Sequence, residues 1–137
     1  MTLLCPSSAG VADGSAKVFG IVNQDGPSTR THYLSKPVLL TSELLDLTAP
    51  ISSDRVLRVA NACVETSCVH FDGHNCRLAS RIHENLEPVV SALPKCGIRS
   101  SCRWWRQEGP EACKRCPQII RESFRDNDLF SETVTPP

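Results

Sequence analysis

The chain of 137 residues contains eight cysteines, several times the usual share for a protein of this size. Thiolates bind zinc and iron–sulfur clusters, and four of them complete one tetrahedral zinc site or one [4Fe–4S] cluster. Seven of the eight fall into two groups on either side of a predicted helix: Cys63, Cys68 and Cys76, then Cys96, Cys102, Cys113 and Cys116. Metal binding at sulfur is therefore the first chemistry to consider.

The second group is a complete set of four, spaced C-x5-C-x10-C-x2-C. Its last two members, Cys113 and Cys116, are close enough to bind one centre from a single turn. Pro117 follows and suits the first turn of a helix, whose N-terminal amides favour negative sulfur. We therefore predict a metal centre here.

The spacing favours iron–sulfur over zinc. Zinc modules usually have two tight pairs of ligands, whereas this chain has one, and its other gaps are 4, 5, 7 and 10 residues. Irregular gaps and a terminal Cys-Pro resemble the cluster ligands of bacterial ferredoxins over residues 113–117. We expect one or two [4Fe–4S] clusters, with zinc as the alternative and disulfides or redox thiols as a third reading.

The first group lacks a fourth ligand. Cys5, which stands alone near the start of the chain and also precedes a proline, is one candidate, and His74, two residues before Cys76, is another. Two further donors lie in the same segment, His70 and Asp72. Alternatively, three thiolates leave an open coordination position, which on zinc or iron would be a place for catalysis.

Basic and aromatic residues cluster beside the second group: Arg99, Arg103, Trp104, Trp105 and Arg106. Such residues bind phosphate and stack on bases, or anchor an acidic protein partner. They can instead cover a metal centre and offset its negative charge. Lys plus Arg and Asp plus Glu both number 15, so the net charge gives no support to a nucleic-acid partner.

The sequence patterns between and around these residues predict both strands and helices, in an α+β fold. We expect a β-hairpin from residues 17–22 and 29–34, a third strand at 38–40 and a helix over 42–47. The spacing of Val56, Val59, Ala60 and Cys63 favours a helix, although a strand also fits. A helix capped by Asn75 is predicted over 76–93, with Pro88 as the point where it kinks or divides. A last helix opens at Pro117 and carries Ile119, Ile120 and Phe124.

The predicted organisation is a flexible N-terminus (1–15) and one domain (16–125), followed by an acidic, disordered tail (126–137). Within the domain, residues 16–50 are expected to be β-rich and residues 52–125 to form a helical, cysteine-rich, metal-stabilised half.

Several classes of function are disfavoured by absent signals. There is no secretory signal and no apolar run long enough to cross a membrane, so we expect a cytoplasmic protein with no membrane partner, where thiols stay reduced. No P-loop, GxGxxG, HExxH or nucleophile elbow is present.

We expect an electron-transfer protein or an accessory subunit of a larger redox enzyme rather than an enzyme itself. The alternative is a zinc module that contacts nucleic acid or protein through the Arg/Trp patch.

Overall fold

A computed structural model describes residues 2–23 and 30–120. This part of the chain combines a four-stranded antiparallel sheet with short helices, which confirms the α+β class. The strands are β1 (Leu4–Cys5), β2 (Lys17–Asn23), β3 (Arg30–Leu39) and β4 (Leu57–Ala62). Their order across the sheet is β1-β4-β2-β3, so β4 lies inside the sheet although it comes last in sequence.

The predicted hairpin is confirmed by the pairing of β2 with β3. Ile21 lies opposite His32 and Val18 opposite Val38, so β3 includes both the predicted second strand and the predicted third strand. The register shifts between Val18 and Gly20. A Cβ at Gly20 would lie 2.5 Å from the Thr31 side chain, so only glycine fits this close approach. The predicted turn lies outside the described residues.

The helix predicted from the spacing at residues 56–63 is wrong. A short helix, α2 (Ser53–Val56), ends where β4 begins. Strand β4 pairs with β2 on one side and β1 on the other, and residues 57–60 are all buried. A short apolar run buried on both faces gives no clean period of two, so its spacing alone does not separate a strand from a helix.

The helix α1 (Ser42–Thr48) is confirmed, with Thr41 as its N-cap. The helix α3 (Arg77–Asn85) begins after Cys76 rather than Asn75 and ends at Leu86. It does not continue to residue 93, because Pro88 has no amide to donate and disfavours helical geometry at Glu87.

Two further helices, α4 (Arg103–Glu108) and α5 (Pro110–Arg115), meet at Gly109, whose φ is 72°. Up to residue 120, where the described part of the chain ends, a 3₁₀ turn (Cys116–Gln118) stands where the sequence predicts a helix from Pro117. Ile119 and Ile120 lie beyond that turn and are buried in the core. Phe124 and the predicted tail (126–137) lie outside the described residues.

The main core lies between the sheet and α3. Its buried members include Phe19 and Ala60 from the sheet, Ile82 from α3, and Trp104 from α4. The sequence predicts a flexible segment over residues 1–15, but β1 pairs with β4, the Ser8 amide donates to the Val59 carbonyl at 3.0 Å, and Pro6 is fully buried. Residues 4–8 are thus part of the packed structure, whereas residues 11–15 are exposed, and the flexibility of residues 1–15 stays a prediction.

Candidate metal centres

The eight cysteines gather around two cavities, four to each. The first quartet lines a cavity of about 330 Å³ and consists of Cys5, Cys63, Cys68 and Cys76. The second quartet lines a smaller cavity of about 20 Å³ and consists of Cys96, Cys102, Cys113 and Cys116. The two groups seen in the sequence are therefore also two groups in space, and Cys5 joins the first.

The first quartet is assembled mainly by the sheet. Cys5 ends β1, which pairs with β4, and Cys63 follows β4, its amide donating to the Leu3 carbonyl at 2.9 Å. Cys68 closes a 3₁₀ turn, and Cys76 caps α3. Pairing of β1 with β4 thus brings the first cysteine of the chain to three that lie far along it.

The other predicted ligands in this segment are His70, Asp72 and His74, and each of them makes a different contact. His74 is exposed, and its amide donates to the Asp72 carboxylate at 2.9 Å rather than lining the cavity. His70 does line the cavity, but its Nδ1 lies 3.0 Å from a guanidinium nitrogen of Arg81. Burial and this cation lower the pKa of His70. Among the predicted fourth ligands, Cys5 is the one that completes a set of four thiols.

The second quartet comes from the helical half. Cys96 precedes a 3₁₀ turn (Arg99–Ser101), Cys102 closes that turn and caps α4, Cys113 lies in α5 and Cys116 ends it. The remaining walls of this cavity are largely apolar. They include Pro6, Phe19, Tyr33, Ile98, Trp104 and Ala112.

Trp104 lines both cavities, and only 2% of its surface is exposed. A single buried indole therefore lies between the two sets of thiols.

Burial sets the protonation of the thiols. It raises the pKa of Cys102 to about 12, and it also raises the pKa values of Cys5, Cys76, Cys96 and Cys113. The charged form of a buried thiol is disfavoured unless a cation compensates it. These sulfurs are therefore suited to hold a proton, or a metal ion that replaces the proton.

Arginines donate hydrogen bonds to sulfur in both quartets. Arg58, 2% exposed, donates from Nη2 to Cys116 Sγ at 3.1 Å. Arg103 donates from Nε to Cys63 Sγ at 3.1 Å. Hydrogen bonds from a charged donor are stronger than neutral ones and stabilise negative charge on the acceptor. Each quartet thus has a positively charged donor within hydrogen-bond distance of one of its sulfurs.

The Arg/Trp patch predicted from the sequence is mostly turned inward. Trp104 and Arg103 are buried, and the Arg99 guanidinium lies 5.6 Å from the ring of the half-buried Trp105. Arg106 is the one exposed member of the five. This placement matches the reading in which such residues cover a metal centre.

Sequence reasoning missed two residues that support the sites. Arg58 lies between Leu57 and Val59 in β4, and its position inside an apolar run was the available signal. Gln107 gave no signal, yet its side-chain oxygen accepts from the Cys76 amide and its nitrogen donates to the Cys76 carbonyl, both at 2.8 Å. Gln107 therefore fixes the backbone of one thiol of the first quartet.

Within residues 2–23 and 30–120, no set of three or more His, Cys, Asp and Glu side chains forms a group that could hold a metal ion. Metal stabilisation of the cysteine-rich half accordingly stays a prediction, supported by the lining of the two cavities. None of the helices in those same ranges combines the length and apolarity needed to cross a bilayer. No family model, curated protein or solved structure matches this chain.

Proposed function

We propose that this protein carries two [4Fe–4S] clusters, one at each quartet, and transfers electrons, either as a separate carrier or as the accessory subunit of a larger redox enzyme. One observation carries the proposal: all eight cysteines, spread over the chain, are divided four and four between two cavities. Four thiolates are the full ligand set of one such cluster.

The size of the first cavity favours a cluster over a single ion. A zinc ion holds its sulfur ligands about 2.3 Å from its centre. The first cavity is about 330 Å³, far more than the roughly 10–15 Å³ that one water-sized sphere needs. A [4Fe–4S] cluster would need this larger volume, because its four irons and four sulfides lie between the four thiolates.

The second cavity supports a second candidate, a zinc ion at that quartet. Its volume of about 20 Å³ is close to the space that one water-sized sphere needs. The protein would then be a zinc-stabilised module with one redox centre. A nucleic-acid or protein contact through the Arg/Trp patch would have Arg106 as its exposed member, so the geometry favours the redox function over this contact.

Electron transfer suits these sites better than catalysis. Four thiolates saturate each cluster, so neither quartet leaves a coordination position for a substrate. All eight cysteines are free thiols, as expected in the cytoplasm, where we place the protein and its redox partner. The buried arginines offset the negative charge that a four-thiolate cluster carries.

Anaerobic purification, followed by iron and sulfide analysis and a visible spectrum, tests the proposal. Two clusters correspond to about eight irons and eight sulfides per chain, and one cluster with one zinc to about four irons. Cys5→Ser should lose the first cluster alone, and Cys102→Ser the second alone. His74→Ser is the matched control and should lose neither. A folded, metal-free protein would overturn the proposal, as would full iron content in both cysteine variants.

A further inference from the structure

Arg58 carries a buried positive charge, and one of its hydrogen-bond partners can become an anion. Its guanidinium donates to the Thr31 hydroxyl (3.1 Å) and to the carbonyls of Pro6 (3.2 Å), Cys116 (2.8 Å) and Ile119 (3.2 Å). It also donates to the Cys116 sulfur at 3.1 Å, and it lies 5.1 Å from the centre of the Phe19 ring. A buried charge is costly unless it is paired. Cys116 is the one of these described partners whose side chain can become negative, so the second quartet supplies the counter-charge.

The first quartet has a weaker positive environment. Arg103 reaches Cys63, but its Nη2 also lies 3.7 Å from the carboxylate of Glu65, which offsets part of its charge. Arg81 approaches this cavity through His70 rather than through a sulfur. In contrast, Arg99 lines the second cavity beside Cys113, and its positive charge opposes the rise that burial causes in the pKa of Cys113.

We propose that Arg58 gives the second centre the higher reduction potential, so that an electron entering at the first centre passes to the second. This inference rests on the proposed iron–sulfur function with a cluster, not zinc, at the second quartet. Reduction adds a negative charge to a cluster that is already anionic, so nearby positive charge and hydrogen bonds to its sulfurs stabilise the reduced form. Arg58 is a positioning and tuning residue, because it acts on the cluster through Cys116.

The electron step balances without a proton or a leaving group. With both clusters bound, a one-electron protein reductant would give one electron to the first, and the first would pass that electron to the second, so the electrons balance. No bond to cysteine would form or break. Trp104 lines both cavities, and because both quartets belong to one chain, the exchange would be intramolecular.

A redox titration of the fully loaded protein, reduced stepwise with dithionite and followed by EPR, tests the inference. Two separate one-electron steps are expected. Arg58→Gln should move the step of higher potential downward and leave the other unchanged, and Arg58→Lys, which keeps the charge, should move it less. Arg103→Gln is the matched variant at the first quartet and should lower only the step of lower potential.

Several results would overturn the inference. They are a single shared step, a higher step that responds to Arg103→Gln, and a lower step that responds to Arg58→Gln. If Arg58→Gln loses the second cluster, the titrations of the unaltered protein and of Arg103→Gln still give the order of potentials. The step that Arg103→Gln shifts belongs to the first cluster, and the other step belongs to the second. Iron content measured on the same samples separates the two proposals: absent clusters refute the function, whereas two clusters of equal potential refute only the role of Arg58.

Discussion

Replacing Trp104 by alanine tests whether one side chain supports both centres. Trp104 is 2% exposed and packs in the main core while lining both cavities. Removing a buried tryptophan typically costs about 3–5 kcal/mol, because the packing is lost and a cavity remains. Against a total stability of about 5–15 kcal/mol for a domain, Trp104→Ala should remove a large part of the free energy of unfolding.

The adjacent tryptophan provides a matched control. Trp105 is only half-buried, with Arg99 against its ring, so Trp105→Ala should cost about 1–2 kcal/mol. Urea unfolding under anaerobic conditions gives both free energies. Iron analysis of the folded samples gives the total cluster content, and EPR of the reduced samples separates the two centres. Trp104→Ala should lower occupancy at both quartets.

Two outcomes would refute this account of Trp104. The first is a loss of stability no larger than that of Trp105→Ala, which would mean that the buried indole contributes little packing energy. The second is a variant that loses one cluster and keeps the other at full occupancy, which would show that the shared wall is not needed by both.

Further predictions concern the fold around the centres. Gly109, with φ of 72° and ψ of −153°, should not tolerate a side chain, and Gly109→Ala should cost about 1–3 kcal/mol in thermal unfolding. Ile82 is fully buried, so Ile82→Ala should cost about 2–5 kcal/mol in urea, whereas Leu47→Ala, at an 80% exposed position, should cost little. Hydrogen bonds from the Ser15 backbone and its neighbours lower the pKa of Asp13 from 3.8 to about 2. The folded state therefore favours the carboxylate, so the stabilisation relative to Asp13→Ala should be complete above the usual pKa and disappear as the pH falls toward 2, as measured by unfolding midpoints across that range.

The sequence predicted the hairpin and the first helix correctly, because both depend on local signals. The segment of β2 is rich in β-branched and aromatic residues and is followed by turn residues, and Thr41 is an ordinary N-cap. Strand β4 could not be predicted with certainty, because its burial comes from strands on both sides of it. The end of α3 was foreseen only in part: Pro88 was expected to kink or divide the helix, but the periodicity that continues past it extended the predicted helix to residue 93.

At the candidate site, the sequence predicted which cysteines belong together but not what completes the first group. Cys5 is distant in sequence, and only the pairing of β1 with β4 brings it to Cys63. The proximity of His74 to Cys76 in sequence was misleading, since the local turn exposes that histidine. The role of Arg58 was hidden as well, because a charged residue is rarely expected inside a sheet.

The pairing of β1 with β4 also sets an order in which the protein can mature. The second quartet lies within residues 96–116, so that segment can close around its ligand early. The first quartet needs Cys5, which arrives only after distant parts of the chain have met, and such contacts form slowly because their loop closure is entropically costly. We expect iron incorporation to proceed in two phases. The slower phase fills the first quartet, and its rate follows the pairing of β1 with β4.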